Sequence, residues 1–225
     1  AAIKELATAL SKVSAERIQV ELVKLLTSDH PQMMRDLYEL GLTAVFMPEF
    51  DVMMQTPQHN KHHMYSVGEH TLHTLEHVRA DKILRLTMLL HDVAKPVCIT
   101  TDEEGQDHFK KHPAVGADMT KQILRRLKFD NKTIDCCCRL VKEHDDRPQI
   151  TPKNVRRAMS RIGAGLFPML FEVKRADMLG QSLYKRKETM AYIDEFERVY
   201  NEILSDDQCV SKKDMKTNGR DLIYL

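Results

Sequence analysis

Apolar residues recur at intervals of three and four along almost the whole chain, and this period predicts an all-α fold. No run alternates apolar and polar residues strongly enough to predict a strand. In SAERIQVELVKLL, Ser14 caps a helix whose inner face is Ile18, Leu22, Leu25 and Leu26. Pro31 opens a second helix that Gly41 closes, with Met33, Leu37 and Leu40 inward. Residues 42–65, rich in proline, histidine and methionine, lack the helical period and read as a long functional loop. A helix follows from about Ser66 to Ala80. Asp81 caps the next, which should stop at Lys95 because Pro96 cannot continue it. Residues 100–107 form an acidic turn. Pro113 begins a helix with Val115, Met119, Ile123 and Leu127 on one face, and another from about Lys132 buries Ile134, Cys137, Cys138 and Val141. Thr151-Pro152 starts a short helix closed by Gly163. A helix from about Leu166 to Ser182 and a long charged one from about Lys185 to Leu204 complete the pattern, the last with Ile193, Phe196, Tyr200 and Ile203 inward.

A few titratable residues interrupt the apolar faces. The stretch LLHDVAKP sets His91 and Asp92 at the end of an apolar run, where burying either charge unpaired costs several kcal/mol. The face of Ile134, Cys137 and Val141 continues to His144, and that of Leu170 and Val173 continues to Asp177. With His70 and His112 these residues form a set that could converge. Imidazole and carboxylate donors suit divalent ions such as manganese, iron, cobalt, nickel and zinc, and a pair of such ions can activate water for attack on phosphorus. A shell without thiolate points to catalysis rather than a structural zinc knot. Spacing alone leaves a hydrogen-bonded structural cluster equally open, and it does not choose among His70, His73 and His77, which share one helix face.

Composition narrows the partners. Lysine plus arginine (34) nearly balances aspartate plus glutamate (33) over 225 residues, so no global field marks a nucleic-acid or membrane partner, and any RNA contact must come from a local patch. No apolar stretch approaches the ~18 residues of a membrane span, and no signal-peptide pattern is present, so a soluble, cytoplasmic protein is expected. Five cysteines, three of them consecutive at 136–138, have no metal or disulfide spacing and read as reduced core thiols. Both ends look cut.

His70, then His91-Asp92, then Asp177 resembles the H...HD...D signature of the HD superfamily of metal-dependent phosphohydrolases, with HDVAKP similar to its HD-x-x-K variant. The stretches MPEFDVMMQTPQHNKHHMYSVGEHTLHTL, HFKKHPAVGADMTKQILRRLKF and RADMLGQS resemble the HD-containing body of bacterial tRNA nucleotidyltransferases, the CCA-adding and poly(A) polymerase family. VSAERIQVELVKLL is similar to the end of that family's RNA-binding neck, and KKDMKTNGRDLI to the segment introducing its tail. The family's nucleotidyltransferase head has no counterpart here.

The resemblance implies an all-α HD fold with a helical neck at 1–45, an HD domain at 46–182, and a C-terminal helix and start of a tail at 183–225. It assigns His70, His91, Asp92 and Asp177 to a principal metal and His112 and His144 to a second. The cofactor would be one or two divalent ions such as Mn, Ni, Mg, Co, Fe or Zn. Asp92, as ligand or bridge, and Lys95 would serve catalysis, with Asp145 or Asp146 orienting a histidine. His62, His63, Arg147 and Arg175 are candidate substrate contacts, although a salt bridge is the simpler reading of both arginines. The implied activity is phosphodiester or phosphomonoester hydrolysis at tRNA or RNA 3′ ends, or on nucleotide phosphoesters, within an enzyme of tRNA CCA addition and repair. Two alternatives stand beside it: a catalytically silent HD body serving as RNA-binding scaffold, and a stand-alone HD nucleotidase. Homodimerisation is left open.

Overall fold

A computed structural model describes residues 2–59 and 64–205. The chain runs through α1 (Ala2–Glu5), a 3-10 segment (Ala7–Lys12), α2 (Ala15–Leu26), a 3-10 turn (Pro31–Met33), α3 (Met34–Glu39), α4 (Thr43–Phe46) and α5 (Pro48–Gln55). It continues through α6 (Val67–Leu75), α7 (Lys82–Leu90), α8 (Lys95–Cys98), a hairpin of β1 (Thr100–Thr101) and β2 (Asp107–His108), α9 (His112–Arg126) and α10 (Asn131–Glu143). The last three helices among the described residues are α11 (Pro152–Ile162), α12 (Phe167–Gly180) and α13 (Arg186–Ser205). The fold is all-α, as the apolar period predicts.

Local chemistry sets most helix starts. Ser14, Ser66 and Thr151 each accept a hydrogen bond from the backbone amide three residues on, and Asp81 accepts from the amides of Ile83 and Leu84. Two apolar cores result. One gathers α2, α5, α6, α7, α9 and α10 around Met34, Phe50, Leu72, Leu84 and Leu124. The other joins α10 to α13 through Phe167, Phe171, Phe196 and Tyr200, whose ring centroids lie 5.0–5.6 Å apart. α12 serves both cores, with Val173 and Ala176 in the first and Phe167, Leu170 and Phe171 in the second.

Several expectations are corrected. The supposed loop at 42–65 contains α4 and α5, because Pro48 starts a helix and sends Phe50 and Met53, three residues apart, into the core. Gly68 lets α6 lie on α5: a Cβ there would meet Met54 backbone at 2.7 Å. Met34 rather than Met33 is buried, Met33 being 47% exposed, because the chain enters through a tighter 3-10 turn that rotates the face. Helix α6 ends at Leu75, not Ala80: the amides of Glu76 and His77 donate three residues back, to the His73 and Thr74 carbonyls, so the last turn tightens and the ladder stops. Ile123 and Leu127 of the expected α9 face are buried, but Val115 is 37% exposed and Met119 half-buried, with Gly116, Thr120 and Leu124 buried alongside. Of the cysteine run only Cys137 is fully buried. The acidic turn at 100–107 closes a two-stranded hairpin, with Thr100 opposite His108 and Thr101 opposite Asp107. Pro96 does not end a helix but lies in the first turn of α8, where its missing N–H leaves no hydrogen bond unmade.

Candidate metal centre

The placement of Pro96 in a new helix explains LLHDVAKP. Helix α7 stops at Leu90, His91 takes its C-cap, and residues 91–94 form a turn before α8. The turn lets two consecutive residues both point inward, and His91 is 0% and Asp92 1% exposed. Four further helix positions bring side chains to the same place: His70 in mid-α6, His112 as first residue of α9, His144 as C-cap of α10, and Asp177 in the last turn of α12.

All four imidazoles are oriented alike. Nδ1 of His91 lies 2.7 Å from the Met88 carbonyl, that of His144 2.7 Å from Val141, that of His112 2.8 Å from Phe109, and that of His70 3.2 Å from Gly180. A carbonyl oxygen only accepts, so each Nδ1 carries a hydrogen, and Nε2 is the atom each ring turns toward the others, with a lone pair there whenever the ring is neutral. The anticipated orienting acids are thus replaced by backbone carbonyls: Asp146 is held by Arg161 at 2.7 Å, and Asp145 lines the cavity.

The Nε2 atoms meet in two pairs, His70 with His91 at 3.3 Å and His112 with His144 at 3.2 Å. Asp92 stands between the pairs. Its Oδ2 is 3.3 Å from His91 Nε2 and 3.5 Å from His70 Nε2, and its Oδ1 is 3.3 Å from His112 and 3.7 Å from His144. Asp177 Oδ1 lies 3.0 Å from His70 Nε2 and 3.7 Å from His91 Nε2. Lys95 Nζ is 2.7 Å from Asp92 Oδ2, an ion pair without hydrogen-bond alignment, and donates to Gln58 Oε1 at 2.9 Å.

The electrostatics demand positive charge at this point. Burial pushes the His91 imidazolium down, but Asp92 and Asp177 overcome it and raise the group to about 10. Burial, then His91 and His112, push His144 down to about 3. Burial alone would raise the Asp92 and Asp177 carboxyls; the His91 and Lys95 charges hold the first, and hydrogen bonds from His70 and His91 the second, well below the ordinary range. Two imidazole Nε2 atoms facing each other need a proton or a cation between them, and neither oxygen of buried Asp92 accepts an aligned hydrogen bond. The donor set of imidazole and carboxylate fits a divalent ion. Two triads have ligand atoms within 4.8 Å of one another, His70-His91-Asp92 and Asp92-His112-His144, so Asp92 belongs to both.

The centre floors a cavity of about 470 Å³ lined also by Lys95, Phe109, Lys110, Asp145, Arg147 and Gln181. Both candidate arginines have acidic partners: Arg147 lines the cavity with Nε 4.0 Å from Asp145 Oδ1, whereas Arg175 is held by Asp194 and Glu197 of α13 and is not among the lining residues. His62 and His63 lie outside the described residues. Among the three histidines of one face, only His70 reaches the cluster; His73 packs against the Tyr65 ring at 4.4 Å and His77 is exposed. Sequence reasoning missed Gln181, whose amide donates to Asp177 Oδ1 at 3.0 Å. It also missed Lys174, whose buried ammonium donates to the His144 carbonyl at 2.7 Å and the Asp146 carbonyl at 2.6 Å. A lysine between the apolar positions Val173 and Ala176 was the available signal.

Comparison with known proteins agrees with this geometry. Residues 1–54 match a family described as the probable RNA and SrmB-binding site of polymerase A, and residues 61–203 match the HD domain. The chain is 33% identical over 171 residues to a CC-adding tRNA nucleotidyltransferase of Thermus thermophilus, covering 73% of this chain and 39% of that protein. It is 35% identical over 168 residues to an A-adding tRNA nucleotidyltransferase of Deinococcus radiodurans, covering 72% and 38%. A multifunctional CCA protein of Azoarcus sp. is 30% identical over 182 residues, covering 74% and 43%. The chain thus spans about two-fifths of the length of these relatives, the part that carries the HD motifs. With more than half of its residues matching and the His and Asp side chains of the signature converging, the chain belongs to the HD-domain family.

Proposed function

We propose that the chain is a metal-dependent phosphohydrolase domain acting on phosphoester ends of RNA, 2′,3′-cyclic or terminal phosphates, within a cytoplasmic tRNA nucleotidyltransferase that builds or repairs tRNA 3′ ends. The observation that carries the reading is the pair of Nε2 couples arranged about one shared carboxylate on the floor of a cation-rimmed cavity. The names of the relatives and the match of residues 1–54 support the RNA substrate class.

His70, His91, Asp92 and Asp177 would hold one ion, and Asp92, His112 and His144 a second. Bound there, such ions supply Lewis-acid polarisation of a phosphoryl oxygen and lower the pKa of a water. The protein's own part is positioning. Backbone carbonyls keep the imidazole protons on Nδ1, and Gln181 and Lys174 steady Asp177 and the His144 turn. Lys95 sits beside Asp92 with Nζ 5.2 Å from the Phe109 ring centroid, where its charge offsets that of the carboxylate and of an incoming phosphate. Arg147 and Lys110 at the cavity offer cationic contacts to phosphate oxygens.

Metal analysis of wild type beside His91→Ala and Asp92→Ala, with hydrolysis of a 2′,3′-cyclic nucleotide measured on the same samples, tests the reading. Wild type should carry metal and turn over, His91→Ala should lose the ion nearer His70, and Asp92→Ala should lose both. Equal metal content in all three proteins rejects the site. Metal retention without hydrolysis transfers the function to an RNA-binding scaffold, a role consistent with the match of residues 1–54.

A further inference from the structure

Helix α11 is unlike the other long helices in its charge. It carries Lys153, Arg156, Arg157 and Arg161 and no acidic residue, whereas α13 interleaves its cations with Glu188, Asp194, Glu195, Glu197 and Glu202. Val155, Ala158, Met159 and Ile162 are buried, so the basic residues occupy the remaining face: Lys153, Arg157 and Arg161 are exposed and Arg156 is half-buried. Most other exposed arginines are held by carboxylates, Arg79 by Glu172, Arg139 by Asp135, Arg198 by Glu195. Lys153, Arg156 and Arg157 have no ion-pair partner among the described residues.

The position of this face is set from both ends. Arg161 Nη2 lies 2.6 Å from Glu143 Oε2 and 2.7 Å from Asp146 Oδ2, which ties the C-terminal turn of α11 to the residues flanking His144. At the other end Asn154 donates to the Gln149 carbonyl at 2.9 Å, and Arg147 of the cavity wall is four residues before the Thr151 cap. The basic face therefore adjoins the 143–149 segment that walls the metal centre. Lys153 and Arg157 are one helical turn apart, about 6 Å along the axis, a separation that successive phosphates of an extended strand can span.

We propose that the Lys153-Arg156-Arg157 face of α11 binds the phosphate backbone of an RNA strand and guides its end past Arg147 into the cavity. The inference rests on the phosphohydrolase reading for the direction of the strand, but the binding face stands on its own charges. Phosphates along a strand match a row of unpaired cations, and an acid-free helix avoids the repulsion that carboxylates would impose.

The test uses the full chain and a short labelled RNA oligonucleotide, with anisotropy followed over a range of salt concentrations. Lys153→Glu/Arg157→Glu is compared with Lys121→Glu/Lys132→Glu, which reverses two exposed cations on α9 and α10 and changes net charge by the same amount. Two lost phosphate contacts should lower the slope of log K against log salt by about 1.4, equivalent to about 25-fold weaker binding at 0.1 M salt relative to a 1 M reference. The α11 variant should keep wild-type metal content and wild-type hydrolysis of a 2′,3′-cyclic mononucleotide, too small to reach α11, and the α9/α10 variant should keep the wild-type slope. An unchanged slope in the α11 variant, or an equal loss in both variants, overturns the proposal. So does loss of binding to anionic vesicles with RNA binding intact, which would assign the face to a membrane surface. If no protein hydrolyses the mononucleotide, the catalytic reading fails while the RNA slopes still decide the binding face.

Discussion

Gly180 offers the sharpest test of how the candidate metal centre is held. Its carbonyl faces His70 Nδ1 at 3.2 Å, and a Cβ at this position would lie 2.6 Å from Thr74 Cγ2 and 3.2–3.3 Å from His70 Nδ1 and Cε1. Carbon contacts settle near 3.5–4.0 Å, so Gly180→Ala requires α6 and α12 to part by roughly 1 Å or His70 to turn. Overpacking of this kind costs ~1–3 kcal/mol, and disturbing the group that orients a ligand histidine lowers metal affinity ~10–100-fold. The loss should fall on the proposed His70-His91-Asp92 site, with the proposed His112-His144 site little changed. Thr74→Ser removes the nearest methyl while keeping the hydroxyl that donates to the Thr71 carbonyl at 2.8 Å. In that background Gly180→Ala should cost at least ~1 kcal/mol less than in wild type, a coupling expected of residues in contact. Urea unfolding under chelator gives the stabilities, and competition with a metal indicator gives the two affinities. Strictly additive stabilities, or two wild-type metal affinities in Gly180→Ala, would refute the view that the end of α12 positions His70.

Two other outcomes follow from the same coordinates. For the chelated protein, His144 is pushed down to about 3 when folded but titrates near ~6.5 when unfolded. The unfolded chain therefore binds more protons in that window, and stability falls by up to ~1.4 kcal/mol per pH unit as pH drops below ~6.5. Asp92 and Asp177, held low, add a further loss in stronger acid. His91 has the opposite sign: raised to about 10, its contribution is lost as pH rises from ~6.5 through its folded value. Urea midpoints of chelated protein should thus peak near neutral pH, and metal should abolish the alkaline decline; a flat profile contradicts the charge assignments. In the second core, Phe167 is 0% exposed and packed on Phe171, Phe196 and Tyr200, so Phe167→Ala should lose ~3–5 kcal/mol in urea unfolding without changing metal stoichiometry; a loss under ~1 kcal/mol would show that this core repacks freely.

The helices were readable in the chain wherever a periodic face coincided with a cap, as at Ser14, Asp81 and Thr151. They were misread at Pro48, read as part of a loop, and at Pro96, read as a terminator. Pro48 and Pro96 both lie in first turns, and the backbone does not distinguish a helix ending before proline from one beginning with it until the flanking segments are packed. The short hairpin escaped because two paired residues per strand carry no detectable alternation.

By itself the sequence determined the all-α class, most helix starts, and a donor set of imidazoles and carboxylates without thiolates, because periodicity, capping and ligand chemistry are properties of neighbouring residues. Only the tertiary structure decided which histidine of α6 enters the cluster, that Asp92 is shared between two triads, and that Arg147 rather than Arg175 faces the cavity. Those outcomes depend on where the ends of α7, α9, α10 and α12 meet. That meeting is set by core packing between residues distant along the chain, such as Gly180 against His70, which are 110 positions apart. LLHDVAKP announced that two charges would be buried; their oppositely charged surroundings existed only once five helices had closed around them.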